Sequence, residues 1–117
     1  ALPICGYPDA ERDNRIMEMN FGDWEMKNFD EISDPRLKEW YADYINVPAT
    51  NGESFAIQYQ RVASFLDELK EKNYEKVAIF AHGGVLICAQ LYAGSIKQEE
   101  AFSALTPYGG IIQLRLD

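Results

Sequence analysis

The chain has 117 residues, 47% of them hydrophobic and 26% charged, with a net charge of −8 at pH 7. It is one domain at most, long enough to bury a core, and no apolar run approaches the roughly 20 residues that a membrane span needs. The acidic balance argues against nucleic acid as a partner, because binding a phosphate backbone needs surplus Lys and Arg.

A basic start followed by a long apolar stretch, the mark of a signal peptide, is missing. The first residues are Ala1-Leu2-Pro3-Ile4, without a methionine, which leaves processing and truncation as two readings. Cys5 and Cys88 lie far apart and outside any C-x-x-C pattern. Neither a metal site nor a redox pair is expected, Cys88 reads as a small core residue, and two unpaired thiols fit a reducing, cytoplasmic setting.

In chain order, residues 1–14 read as irregular connection, punctuated by Pro3, Gly6, Pro8 and Asp9. Ile16 and its neighbours suggest a short extended piece that Gly22 ends. Within it Glu18 sits among apolar residues. A carboxylate in low-dielectric surroundings has its pKa raised and can hold a proton near neutrality; the alternative is a Glu18 that simply faces water. Residues 28–33 suggest a helical turn. Asp34 is a suitable N-cap and Pro35 a suitable first helical residue, and Leu37, Trp40, Tyr41, Tyr44 and Ile45 then recur at helical spacing up to Pro48. That aromatic stripe is either core or the wall of a substrate cleft.

Thr50-Asn51-Gly52-Glu53 has the form of a T-x-x-E capping box. It predicts a long helix from about Glu53 to Lys72, with Phe55, Tyr59, Val62, Leu66 and Leu69 as its buried stripe and Asn73 as its stop. Glu53 is explained by capping first and by a site second.

The unbroken apolar run Val77-Ala78-Ile79-Phe80-Ala81 stops at His82, the single histidine, and Gly83-Gly84 opens a new apolar segment. The pattern predicts a buried strand, a tight turn and a buried helix to Ala93. In open α/β sheets ligands bind at the carboxyl ends of strands, and a Gly-rich helix start points free N–H groups at an anion. His82 and Gly83 are therefore candidates for a phosphate or carboxylate site. The competing reading is that His82 only caps the helix. Gln98 to Leu105 suggests a short helix, residues 106–110 a loop, and the alternating Ile112-Gln113-Leu114-Arg115-Leu116-Asp117 a half-buried strand.

Three segments in order resemble the histidine phosphatase superfamily, the phosphoglycerate mutase-like proteins. Glu18-Met19-Asn20-Phe21-Gly22-Asp23-Trp24-Glu25 is similar to its L-R-E-M-x-F-G-x-W-E-G segment. Asn51-Gly52-Glu53-Ser54 with Arg61-Val62 and Phe65-Leu66 resembles its G-E-S…R-V…F-L helix start, and Ala81-His82-Gly83-Gly84-Val85 its S-H-G-G-V motif. The short interval from Trp24 to Gly52 resembles the small phosphatases, of α-ribazole-5′-phosphate phosphatase type, more than the mutases.

The resemblance implies hydrolysis of a small phosphate monoester through a phosphohistidine, without a cofactor or a metal and without a nucleic-acid or membrane partner. Glu18 matches the family's proton donor and His82 its second histidine, a ligand of the phosphoryl oxygens. It also implies a three-layer α/β/α fold around a mostly parallel sheet, incomplete in this chain. The family's nucleophilic histidine lies in an R-H-G motif and a further phosphate-binding arginine in an S-x-x-x-R-A helix; neither motif occurs here. The whole chain, 1–117, is thus expected to be the carboxyl-terminal part of one histidine phosphatase domain. It would be inactive alone, its sheet completed by an amino-terminal segment or another chain. A phosphoglycerate mutase and a non-catalytic phosphate-binding or interaction module are the alternatives. Within the motifs, Met17 stands where Arg or Asn is usual, and Met26 where glycine follows Trp-Glu.

Overall fold

The structure, a computed structural model, describes residues 6–116; Cys5 and Asp117 lie outside them. Three α-helices are present among these residues: α1 (Arg36–Ala42), α2 (Phe55–Glu71) and α3 (Gly83–Ala93). Five short 3-10 turns lie between and around them, at Asn14–Ile16, Gly22–Trp24, Phe29–Glu31, Gln98–Glu100 and Phe102–Ala104.

Helix α2 starts later than the T-x-x-E pattern predicts. Ser54 is its N-cap, and its hydroxyl accepts the Ile57 N–H at 3.3 Å. Thr50 instead donates to Asp34 at 2.5 Å, and Glu53 is engaged by Arg61. The capping box fails because both of its side chains find stronger, more distant partners. Asp34 does cap α1 in effect, its Oδ1 accepting the Arg36 N–H at 2.9 Å, but the helix ends at Ala42, well before Pro48. The piece around Ile16 is a 3-10 turn and not extended, and the helix expected over Gln98–Leu105 is two 3-10 turns.

Helices α2 and α3 pack on each other over the main core, which joins Phe55, Val62 and Leu66 to Val85, Ile87 and Cys88, with Met19 and Ala101 closing it. Cys88 is fully buried, and burial pushes its thiol up to about 12, so it is a packing residue and not a reactive one. Gly94 ends α3 in the left-handed conformation, φ +74°, as a C-terminal glycine should. A second, smaller cluster holds the aromatic residues. Trp24 and Trp40 meet edge to face at 6.0 Å, and Phe29 meets Trp40 likewise at 5.5 Å. Such pairs favour the T-shaped arrangement because a ring's positive edge faces its neighbour's negative face. Trp40 is therefore core.

The expected α/β/α sheet is not formed: no strand is assigned among the described residues. A strand exists only by pairing with a neighbour about 4.8 Å away, and neither apolar run has one. Lys76, Val77, Ile79 and residues 112–116 instead border one open cleft of about 1160 Å³, whose other walls include Leu66, Leu69 and Leu86. The strand expected to be buried is exposed, Val77 at 46% and Phe80 at 44%. The final segment keeps its alternation, with Ile112, Leu114 and Leu116 half-buried and Gln113 and Arg115 exposed, but without a ladder.

Candidate active site

The turn that carries Glu18 is held by one side chain of α2. Arg61 donates from Nη1 to the carbonyls of Arg15 and Met17, at 2.9 and 2.7 Å. Its Nη2 donates to the Glu18 carbonyl at 3.1 Å and to Glu53 Oε1 at 2.9 Å, and its Nε to Glu53 Oε2 at 2.9 Å. A guanidinium has five N–H donors in a rigid fork, and all are engaged. Arg61 is thereby a clamp on the backbone before Glu18, with no donor left for an anion. The bidentate contact holds Glu53 below the usual carboxylate range and raises Arg61.

Glu53 carries the clamp onward. Its Oε1 also accepts the Asn20 N–H at 2.8 Å, and its own N–H donates to the Asn20 carbonyl at 2.7 Å. Beside it the Asp23 N–H donates to the Thr50 carbonyl at 2.9 Å. The two loops meet at Gly22, whose φ is +55° and where a Cβ would strike the Thr50 carbonyl. Only glycine meets both demands there.

So placed, the half-buried Glu18 carboxylate reaches the start of α3. Its Oε1 accepts the Met19 N–H at 2.9 Å and Gln58 Nε2 at 3.0 Å; its Oε2 accepts the Gly84 N–H at 3.3 Å. A carboxylate at a helix N-terminus is favourably placed against the partial positive charge there. Gly84 is needed for this approach, since a Cβ there would overlap Glu18 Oε1.

His82 is the N-cap residue of α3 by position, with an extended backbone (φ −119°, ψ 168°), but its side chain makes no capping hydrogen bond. His82 is exposed and borders a cleft of about 540 Å³ that residues 17–21, Glu18 among them, and Glu25 also line. Glu18 and His82 are thus brought together. Among the described residues no Arg or Lys lines this cleft, and Trp40, Tyr41 and Tyr44 form no wall of it. Among the described residues no group of three or more His, Cys, Asp or Glu could hold a metal, and no helix is long and apolar enough to cross a membrane.

Glu53 was a second-choice site residue, and it and Arg61 both fall in the motif resemblance, but their pairing carried no signal in the sequence. Arg61 and Glu53 are eight positions apart on and before α2, outside the i,i+4 spacing that marks helical pairs. Gln58 had a signal: it is a polar residue on the buried stripe, between Phe55 and Val62, where an apolar side chain is the rule.

The family model described as histidine phosphatase superfamily, branch 1, matches residues 4–117. The chain is 28% identical over 108 residues to a putative phosphoserine phosphatase 2 of Hydrogenobacter thermophilus, covering 90% of this chain and 53% of that protein. It is 36% identical over 89 residues to an adenosylcobalamin/alpha-ribazole phosphatase of Escherichia coli, covering 73% of this chain and 41% of that protein. The crystal structure of the alpha-ribazole phosphatase from Shigella flexneri superposes with a TM-score of 0.70 at 29% identity, over 83% of this chain and 50% of that one. The chain spans about half the length of these relatives, or less. With the family model matching almost its whole length, the chain belongs to the histidine phosphatase superfamily.

Proposed function

We propose that this chain is part of a phosphomonoesterase that works through a phosphohistidine, with Glu18 as proton donor, His82 and the Gly83 N–H as phosphoryl-oxygen ligands, and the nucleophilic histidine supplied from outside these 117 residues. The observation that carries the reading is the shared cleft: an oriented carboxylate and an uncapped, exposed imidazole, far apart in sequence, border the same 540 Å³. The nucleophile's nitrogen attacks phosphorus, the bond from phosphorus to the leaving oxygen breaks, and Glu18 gives that oxygen its proton. Water then attacks phosphorus, its proton goes to Glu18, and the phosphorus–nitrogen bond breaks. An alkoxide leaves poorly without a positioned acid, and the equatorial oxygens need fixed donors.

Among the described residues the cleft has two carboxylates, one histidine and no Arg or Lys. That supports a division of labour in which the phosphate-binding cations and the nucleophile come with a further segment, in cis or from another chain. The names of the similar proteins favour hydrolysis over mutase exchange, and α-ribazole 5′-phosphate and phosphoserine are the substrates to try first. No metal or cofactor enters the proposed steps.

The test joins the encoded upstream segment to this chain and assays both forms. The joined protein should hydrolyse one of those monoesters and the 117 residues alone should not. His82→Ala in the active form should lose roughly two to three powers of ten in rate, as when an oxyanion donor is removed. Hydrolysis of p-nitrophenyl phosphate by the 117 residues alone, or a full-rate His82→Ala variant, would overturn the reading.

A further inference from the structure

Gln58 is fully buried in α2, and its amide is split in an unusual way. Nε2 donates to Glu18 Oε1 at 3.0 Å, while Oε1 has no hydrogen-bond partner among the described residues. A buried amide oxygen without a donor lowers stability, and an apolar side chain of the same length would fill the position without that cost. The residue's value must therefore lie in the single bond it does make. That bond also fixes the amide's orientation: turned over, its oxygen would face a carboxylate oxygen.

The consequence falls on Glu18. An ionised carboxylate offers about four lone-pair directions. Oε1 accepts two N–H groups, from Met19 and Gln58, and Oε2 accepts one, from Gly84. The one open lone pair is on Oε2. We infer that Gln58 is a positioning residue that occupies Glu18 Oε1 and so assigns Oε2 as the oxygen that carries and delivers the proton. Gly84 makes room for the pair, since a Cβ there would overlap Glu18 Oε1 and lie 3.0 Å from Gln58 Nε2 and 3.1 Å from its Oε1. Without the amide, a proton can reside on either oxygen and the carboxyl group can turn about its last bond, so only part of the population presents the acid to the leaving group.

This inference rests on Glu18 being the proton donor, and the test separates the two. In the active, joined protein, kcat/KM is measured for p-nitrophenyl phosphate, whose leaving group departs without a proton, and for an alkyl phosphate, whose leaving group needs one. Gln58→Met keeps length and apolar packing but removes the donor. The ratio of the two values should rise roughly 10- to 100-fold in favour of the nitrophenyl ester, the scale of loss from a misplaced catalytic group. A residue that only supports the fold would lower both values together and leave the ratio where it was, which would overturn the inference. If Gln58→Met does not fold, Gln58→Asn withdraws the same amide by one methylene and should raise the ratio in the same direction; an unchanged ratio there is equally decisive against it. Glu18→Gln is the control. If it leaves the ratio unchanged, the proton-donor reading itself fails; if it raises the ratio and neither Gln58 variant does, only the role of Gln58 fails.

Discussion

The two ends of this molecule satisfy their backbones in opposite ways. In the loops that Arg61 of α2 clamps, residues 15–23 and 49–53, no strand and no α-helix is assigned, yet their carbonyls and N–H groups are taken up by side chains: one guanidinium covers three carbonyls, and Glu53 and Glu18 accept four backbone or side-chain N–H groups beside it. Around residues 76–80 and 112–116 the chain is rich in β-forming residues, and no ladder forms. The difference teaches that order follows from where backbone groups find partners and not from propensity alone. The clamped end is also the end that borders the cleft shared by Glu18 and His82.

The strongest way to break that comparison is Arg61→Met. It removes five hydrogen bonds and leaves Glu53 a carboxylate without its cation in a site where both side chains are only 19% exposed. Stability should fall by about 3 kcal/mol, the lower range for breaking a buried pair, as read by thermal unfolding. A shift near zero would mean that the helices hold the Glu18 turn without the clamp.

Glu53→Gln is a milder cut that sharpens the electrostatic part. It should cost about 2 kcal/mol at neutral pH, the scale of a hydrogen bond to a charged group. Arg61 holds the folded carboxyl below its ordinary value of 4.5. The pair's contribution is therefore present above 4.5 and is lost as pH falls from there through the lower folded value. Unfolding measured against pH should show a shallower acid limb in the variant than in the parent. Equal slopes would show that Glu53 is not held ionised by the fold.

The smallest effect tests a residue at the clamped end that takes a left-handed backbone without the side-chain hydrogen bond that Asn51 has there. Met26 has φ +61° and is fully exposed, so its side chain makes no packing that offsets the backbone cost. Met26→Gly should raise stability by about 1 kcal/mol, the cost of an ordinary residue in left-handed backbone. A thermal midpoint that falls would mean that the turn is favourable only with a side chain present. The structure thus gives a reason for the glycine that the family's motif has at this place.

The two residues that meet at the candidate site were legible in the sequence, and for physical reasons. A carboxylate among apolar neighbours and a histidine before Gly-Gly are local features, and the fold does bring Glu18 and His82 to one cleft. The apolar stripe of α2 and the apolar run of α3 were also local, so both helices lie within a residue or two of their expected starts. The T-x-x-E box misled because Thr50 and Glu53 have partners in Asp34 and Arg61 that no local rule supplies. The sheet misled because a strand is a property of two segments, and periodicity describes only one.

What the sequence by itself determined was the family, carried by three motifs in order, together with the helices whose apolar faces are written at a spacing of three to four residues. Only the tertiary structure decided that Arg61 is a saturated clamp and not an anion ligand, that Gln58 is buried against Glu18, and that the apolar runs at 77–81 and 112–116 have no neighbour to pair with. Each of these depends on which distant group comes within about 3 Å of a donor or acceptor, and that is set by how the elements pack.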